Sequence, residues 1–160
     1  MNKIGKFEKV SLERFLSDSG CAPSAYDAIT LPTRATKGSA GYDLVIPYDI
    51  TLAPGKSVVI YTGLRVRIEE GWMLMICPRS GLGRKYRTQL DNTVGIIDSD
   101  YYYSDNEGHI MCPMTNDSNL DKTLVLHAGD RFAQAIFLPF GITEDDDVNA
   151  VRNGGFGSTK

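Results

Sequence analysis

From about residue 31 onward the chain is built of short apolar runs, at 42–46, 57–68, 72–77, 93–98, 109–114, 123–127 and 132–140. Runs of this kind, close together and separated by turn residues, predict an all-β domain. The punctuation falls at Pro47, Pro54-Gly55, Glu70-Gly71, Asn106-Glu107-Gly108 and Ala128-Gly129-Asp130, at the intervals of a sandwich, barrel or jelly roll. Upstream the period changes. Ser11 precedes Leu12, Phe15 and Leu16 at helical spacing and Gly20 follows, which predicts one short capped helix in an N-terminal arm used for packing or oligomer contact. A further helix start is expected just after Pro78-Arg79, where free N–H groups would face a phosphate. The chain thus divides into an arm (1–30), a β domain (31–143), and an acidic linker with a glycine-rich, mobile tail (144–160).

Composition narrows the partners. The chain has 160 residues and a formal net charge of −3, which suits one soluble domain and argues against broad nucleic-acid binding. The local cluster Arg79, Arg84, Lys85 and Arg87 still suits a small polyanion, so a nucleotide is a better ligand than a duplex. Three cysteines, Cys21, Cys77 and Cys112, form no C-x-x-C pair and leave one over in any disulfide scheme, as expected in a reducing compartment. The start Met1-Asn2-Lys3-Ile4-Gly5-Lys6 leads into charged sequence, and no apolar run reaches membrane-spanning length. A cytoplasmic location is the expectation. With only two histidines and no thiol cluster, a zinc site lacks ligands, and a hard ion such as magnesium, carried in by phosphate, is the metal to expect.

The tail combines Arg152, Gly154, Gly155, Phe156, Gly157, Ser158 and Thr159. Glycine lets backbone N–H groups approach an oxyanion, arginine offers a planar fork to phosphate, and an aromatic face stacks on a base. This is the composition of a nucleotide lid. Four other segments stand out from the β background. They are Gly38-Ser39-Ala40-Gly41-Tyr42-Asp43-Leu44, Pro78-Arg79-Ser80-Gly81-Leu82-Gly83, the stretch from Asn92 through Gly95-Ile96-Ile97-Asp98 to Tyr101, and Gly129-Asp130-Arg131-Phe132-Ala133-Gln134.

In order and spacing these five segments resemble the motifs of the trimeric dUTPase family, over residues 38–160. The resemblance implies a distorted jelly-roll, β-clip fold, a homotrimer with active sites at subunit interfaces, and magnesium-dependent cleavage of dUTP to dUMP and pyrophosphate. It casts Asp98 as the base that activates water and touches the deoxyribose 3′-hydroxyl; a strand-end aspartate closing a turn is the structural alternative. Tyr101 matches the tyrosine whose ring packs under the sugar and excludes a 2′-hydroxyl, whereas Tyr102 and Tyr103 read as core or rim. Asn92 and the strand through Gly95 match the uracil site. Arg79, Ser80 and the backbone of Gly81 match the phosphate motif, and Gln134 a contact to phosphate or metal-bound water. Asp43 organises the arginine and the Mg2+ water shell, with no direct protein ligand to the ion. Arg152 is expected on the terminal phosphates, Phe156 over uracil, and Gly157, Ser158 and Thr159 around the phosphate chain.

Two segments depart from the family pattern. The tip after Tyr101 runs longer, through Tyr102-Tyr103-Ser104-Asp105-Asn106-Glu107-Gly108, and reads as a solvent-exposed loop. The last motif has one residue fewer between Arg152 and its glycine pair. Asp130 and Arg131 are expected to pair within their turn. Three other readings stand beside the enzyme. A dCTP deaminase would need a glutamate where this chain has Asp98. A nucleotide-sensing protein would use the arm and the 102–109 loop on a regulatory protein partner, as some phage members of the family do. A structural β oligomer would explain the strands but not the motifs.

Overall fold

The computed structural model describes residues 2–154. Its strands are β1 (Gly5–Lys9), β2 (Thr33–Arg34), β3 (Tyr42–Val45), β4 (Ile50–Leu52), β5 (Ser57–Tyr61) and β6 (Leu64–Ile68). The second half adds β7 (Trp72–Pro78), β8 (Thr88–Leu90), β9 (Gly95–Ile97), β10 (Met111–Asn116), β11 (Leu124–Leu126) and β12 (Arg131–Pro139). Helices are α1 (Leu12–Ser19), α2 (Pro23–Asp27) and α3 (Ser80–Tyr86), and a 3₁₀ turn spans Ser99–Tyr103. The architecture is an all-β distorted jelly roll. Its largest sheet has the order β2-β3-β12-β7-β9, and smaller sheets pair β1 with β6, β4 with β11, and β5 and β8 with β10.

Every apolar run identified above contains strand, with bounds that differ by up to two residues at the turns. The run 57–68 is two strands, because Thr62-Gly63 turns the chain between β5 and β6 with Gly63 at φ +68°. Alternation sets the faces. In β10, Cys112, Met114 and Asn116 point inward, and Asn116 satisfies its buried amide by donating to the carbonyls of Leu52 and Lys122, both at 2.8 Å. Leu44, Ile60, Leu74, Ile76 and Phe132 fill the core between the sheets.

The first thirty residues are more than an arm. Ser11 caps α1 by accepting from the Arg14 N–H, and Gly20 closes it in the left-handed conformation. Ahead of that helix, β1 pairs in register with β6, Phe7 opposite Val66. Behind it, Pro23 starts the second helix, too short for its period to show. Phe15 is fully buried against Tyr26 and His109, so the segment completes the core of its own chain.

The long tip after Tyr101 is likewise not a free loop. Ser104, Gly108 and His109 are buried beneath α1. Glu107 accepts from the Ser11 hydroxyl at 2.6 Å and from the Ser11 N–H at 2.8 Å, and Arg14 donates to the Asp105 carbonyl at 3.1 Å. Gly108, at φ +68°, lies so close to the Tyr101 carbonyl that a Cβ there would come within 2.8 Å of its oxygen. The exposed-loop expectation fails because local composition does not reveal a helix lying across the loop. The expected Asp130–Arg131 pair fails too. Asp130 accepts from the His127 N–H at 2.8 Å, closing the turn, while Arg131 points along the strand to Asp43 at 3.0 Å.

His109 sits at the junction of these pieces. Its Nε2 accepts from the Gly63 N–H at 2.9 Å, which leaves the proton on Nδ1, 2.7 Å from Asp18 of α1. Burial lowers its pKa below the ordinary histidine value, and the Asp18 contact only partly opposes this. The unfolded chain therefore takes up the proton first. Stability is fully present above about pH 6.5 and declines as pH falls below it, at up to ~1.4 kcal/mol per pH unit for one proton. Glu8, held down to about 2 by Lys6 and then by the Tyr102 hydroxyl, is shifted in the same direction from a lower ordinary value, so its contribution is lost only as pH falls below about 4.5. Urea midpoints should thus fall between pH 7 and pH 5.5, before the carboxylates titrate; a flat profile over that range would contradict the buried neutral imidazole. At Gly63 itself, an added Cβ would meet Ile29 Cδ1 at 2.1 Å and Phe15 Cδ2 at 3.2 Å, in a left-handed conformation. Gly63→Ala should lower stability by about 2–4 kcal/mol, read from denaturation midpoints at matched protein concentration.

Candidate functional site

A cavity of about 240 Å³ opens beside β9. Its floor is apolar, from Ile76, Leu90, Ile97, Met111, Cys112 and Pro113, and its mouth carries Asn92, Asp98 and Arg152. Local rules build each part. β8 ends in a tight turn in which the Thr93 N–H donates to the Leu90 carbonyl at 2.8 Å, presenting Asn92 at the rim. Gly95 follows because β9 lies close on β7; a Cβ at this position would sit 3.3 Å from Ile76 Cβ. β9 is the last strand of its sheet and pairs only with β7 among the described residues. Its outer N–H and C=O groups therefore remain open along the cavity side, a ready donor and acceptor edge for a planar ligand.

Asp98 ends β9 and begins the 3₁₀ turn, accepting the Tyr101 N–H on its carbonyl at 3.2 Å. That turn swings Tyr101 into the cavity wall, where it is only 5% exposed. Its hydroxyl donates to the His109 carbonyl at 2.8 Å and accepts from Asn106 Nδ2 at 2.7 Å. Both hydroxyl functions are thus satisfied within the protein, and burial raises the phenol pKa. The ring offers a ligand an apolar face. Tyr102 turns the other way, onto Arg65, whose guanidinium carbon lies 3.9 Å from the ring centroid, and onto Glu8 at 2.6 Å.

Arg152 approaches from beyond the exposed acidic segment 144–147. Its guanidinium forms charge-assisted hydrogen bonds to Asp98 and, at 2.8 Å, to Asp100. Asp100 was not evident from sequence, although its spacing two residues after Asp98 carries it to the same mouth. The apolar floor was also missed, since Met111, Cys112 and Pro113 belong to β10 and read as ordinary core. Phe156, Gly157, Ser158 and Thr159 lie outside the described residues.

The remaining predicted residues assemble elsewhere. β7 runs into Arg79, which precedes α3 in extended conformation and leaves Ser80 and Gly81 in the first helical turn. Beside that end, Gln134 is opposite both Asp43 and Cys77, and Asp43 accepts from Arg131 at 3.0 Å and pairs with Arg79 at 3.6 Å. Gly41 makes room for this cluster, because a Cβ there would come within 2.6 Å of Gln134 Oε1. The result is a basic, oxygen-rich group of Arg79, Arg131, Ser80, Asp43 and Gln134. Ile97 is opposite Leu74, five residues before Arg79 along β7. At about 3.4 Å per residue, that places the group about 17 Å along β7 from the level of Ile97, the residue before Asp98. One chain therefore carries two separate groups, one apolar with a carboxylate and one cationic. Among the described residues no three His, Cys, Asp or Glu side chains converge on a metal position.

Comparison with known proteins points the same way. The family described as dUTPase matches residues 27–160. The deoxyuridine 5′-triphosphate nucleotidohydrolase of Lactococcus lactis is 40% identical over 134 residues, covering 82% of this chain and 88% of that protein. The enzyme of the same name from Tolumonas auensis is 42% identical over 137 residues, covering 81% and 86%. Among solved structures, the dUTPase of Streptococcus mutans superposes with a TM-score of 0.69 at 35% identity, over 86% of this chain and 98% of that one.

Proposed function

The chain belongs to the dUTPase family, and from that premise we propose that it hydrolyses dUTP to dUMP and pyrophosphate, limiting uracil in DNA and supplying dUMP for thymidylate synthesis. The observation that carries this reading is the cavity with Asp98 at its mouth and the hydroxyl-satisfied Tyr101 ring in its wall. At about 240 Å³ the space is below the roughly 300–1,000 Å³ of a site for a larger ligand. It suits a base and sugar, with the triphosphate outside.

Uracil lies along the open edge of β9, where backbone N–H and C=O groups match its alternating acceptors and donor, with Asn92 at the rim. The sugar rests on the Tyr101 ring. A ribose 2′-hydroxyl directed at that face would lose water without gaining a partner, because the phenol has no function left to offer. Asp98 takes a proton from water as the water oxygen bonds to the α-phosphorus and the bridging oxygen leaves with pyrophosphate. Arg152 exchanges Asp98 and Asp100 for the terminal phosphates as the nucleotide enters, which frees the base at the moment it is needed.

The phosphates are received by Arg79, Ser80 and the Gly81 N–H. Since Arg79 lies about 17 Å along β7 from the level of Ile97, the residue before Asp98, in the same chain, a complete site takes these groups from a second copy, and a homotrimer with three shared sites satisfies that requirement. The donors beside Arg79 are hard oxygens, which suit Mg2+. Asp43 and Gln134 are the groups that would face its water shell, with Asp43 held by Arg131 and Arg79 rather than free to ligate. Magnesium bound to the triphosphate supplies charge neutralisation there.

Pyrophosphate release from dUTP, dTTP, dCTP and UTP with magnesium tests the assignment. Release should be confined to dUTP, and Asp98→Asn should lower kcat by about 10²–10⁴-fold. Equal turnover of all four nucleotides would exclude it. Shared sites have their own signature. Asp98→Asn and Arg79→Ala subunits, inactive apart, should regain about a quarter of wild-type activity when co-assembled in equal amounts, since random mixing leaves that fraction of sites with both residues. No recovery in verified mixed trimers would place each site within one chain.

A further inference from the structure

Resting on the reading of Tyr101 as the sugar wall, we propose that helix α1 sets sugar discrimination, with Asp18 and Glu107 as positioning residues that act on Tyr101 through the 104–109 loop. Two hydrogen bonds fix the Tyr101 hydroxyl, to the His109 carbonyl at 2.8 Å and from Asn106 Nδ2 at 2.7 Å, and both partners belong to that loop. Within itself the loop has only turn hydrogen bonds, from the Glu107 N–H to the Ser104 carbonyl at 2.8 Å, from the Gly108 N–H to Asn106 Oδ1 at 3.1 Å and from the His109 N–H to the Asn106 carbonyl at 3.1 Å. It is exposed at Asp105, carries left-handed residues at Glu107 and Gly108, and has no strand pairing.

What holds it is α1. Asp18, in the last turn of the helix, is 2.7 Å from Nδ1 of His109, the residue whose carbonyl receives the Tyr101 hydroxyl. Ser11, the cap of the same helix, binds Glu107 through both its hydroxyl and its N–H. Arg14 links the two ends, donating to Asp18 at 3.2 Å and to the Asp105 carbonyl at 3.1 Å. One rigid element thus grips the loop at three points, and the loop grips the phenol at two. Side-chain wall and helix are separated by more than eighty residues in sequence yet joined by two consecutive hydrogen bonds. If the loop shifts, the ring shifts with it, and an apolar wall displaced by a fraction of an ångström admits the hydroxyl it should exclude.

The experiment compares kcat/KM for dUTP and UTP in the full-length protein and in Asp18→Ala, Asp18→Asn and Glu107→Ala, at a temperature where circular dichroism shows each variant folded. Asp18→Ala and Glu107→Ala should each lower the dUTP-to-UTP ratio by about tenfold, mainly by raising turnover of UTP. Asp18→Asn, which keeps an acceptor for the His109 N–H, should restore most of it. Glu107 is partly exposed and its side chain, among the described residues, hydrogen-bonds only Ser11, so its variant reads the brace even if loss of Asp18 prevents folding. A discrimination ratio unchanged in the folded variants, with rates for both nucleotides falling together, would overturn the proposal and leave α1 a purely structural element. A wild-type protein that turns over dUTP and UTP alike would overturn it together with the role assigned to Tyr101.

Discussion

The two-sided pairing of β7 is the constraint on which the rest of the structure depends. Held by β12 along one edge and by β9 along the other, this strand fixes the cavity and the Arg79 group at once. Its early residues align β9, so that Asp98 emerges where the 3₁₀ turn can carry Tyr101 into the cavity. Its end delivers Arg79 beside Asp43 and Gln134. A strand is stiff and its register is discrete, since a slip of one residue turns core positions such as Leu74 and Ile76 outward. The distance between Asp98 and the Arg79 group is therefore set by backbone geometry and not by side-chain adjustment.

The longest strands were legible because tertiary context and local pattern agree there. The unbroken apolar run of β7 and the run of β12, interrupted only by Gln134, each declare a strand without help from elsewhere. The missed elements are those whose conformation is imposed by a partner. β2, β4 and β8 have two or three residues each and exist only as the second edge of a neighbour. β1, with Phe7 as its main apolar residue, is strand because β6 offers it a ladder. α2 has five residues, too few for a helical period to register.

The same distinction holds at the site. Asn92, Gly95, Asp98 and Tyr101 fall within ten residues, so their grouping on one cavity follows from a single turn and was readable through the motif resemblance. Residues joined across the fold were not. Arg131 finds Asp43 over 88 positions and not its neighbour Asp130, and Asp18 finds His109 over 91. The cavity floor was hidden for a different reason, since Cys112 and Pro113 show nothing in composition that separates a ligand-facing apolar residue from a core one.

The unpaired side of β9 shows a compromise between access and safety. Backbone left open to read a ligand is, by the same chemistry, backbone open to any stray extended segment. Here the exposed edge is three residues long, begins at a glycine, ends where the chain curls into a 3₁₀ turn, and has Arg152 across its mouth. A single ring fits along such an edge, whereas a growing ladder of strands finds no room to extend. Brevity lets the protein keep a bare β edge without inviting its own aggregation.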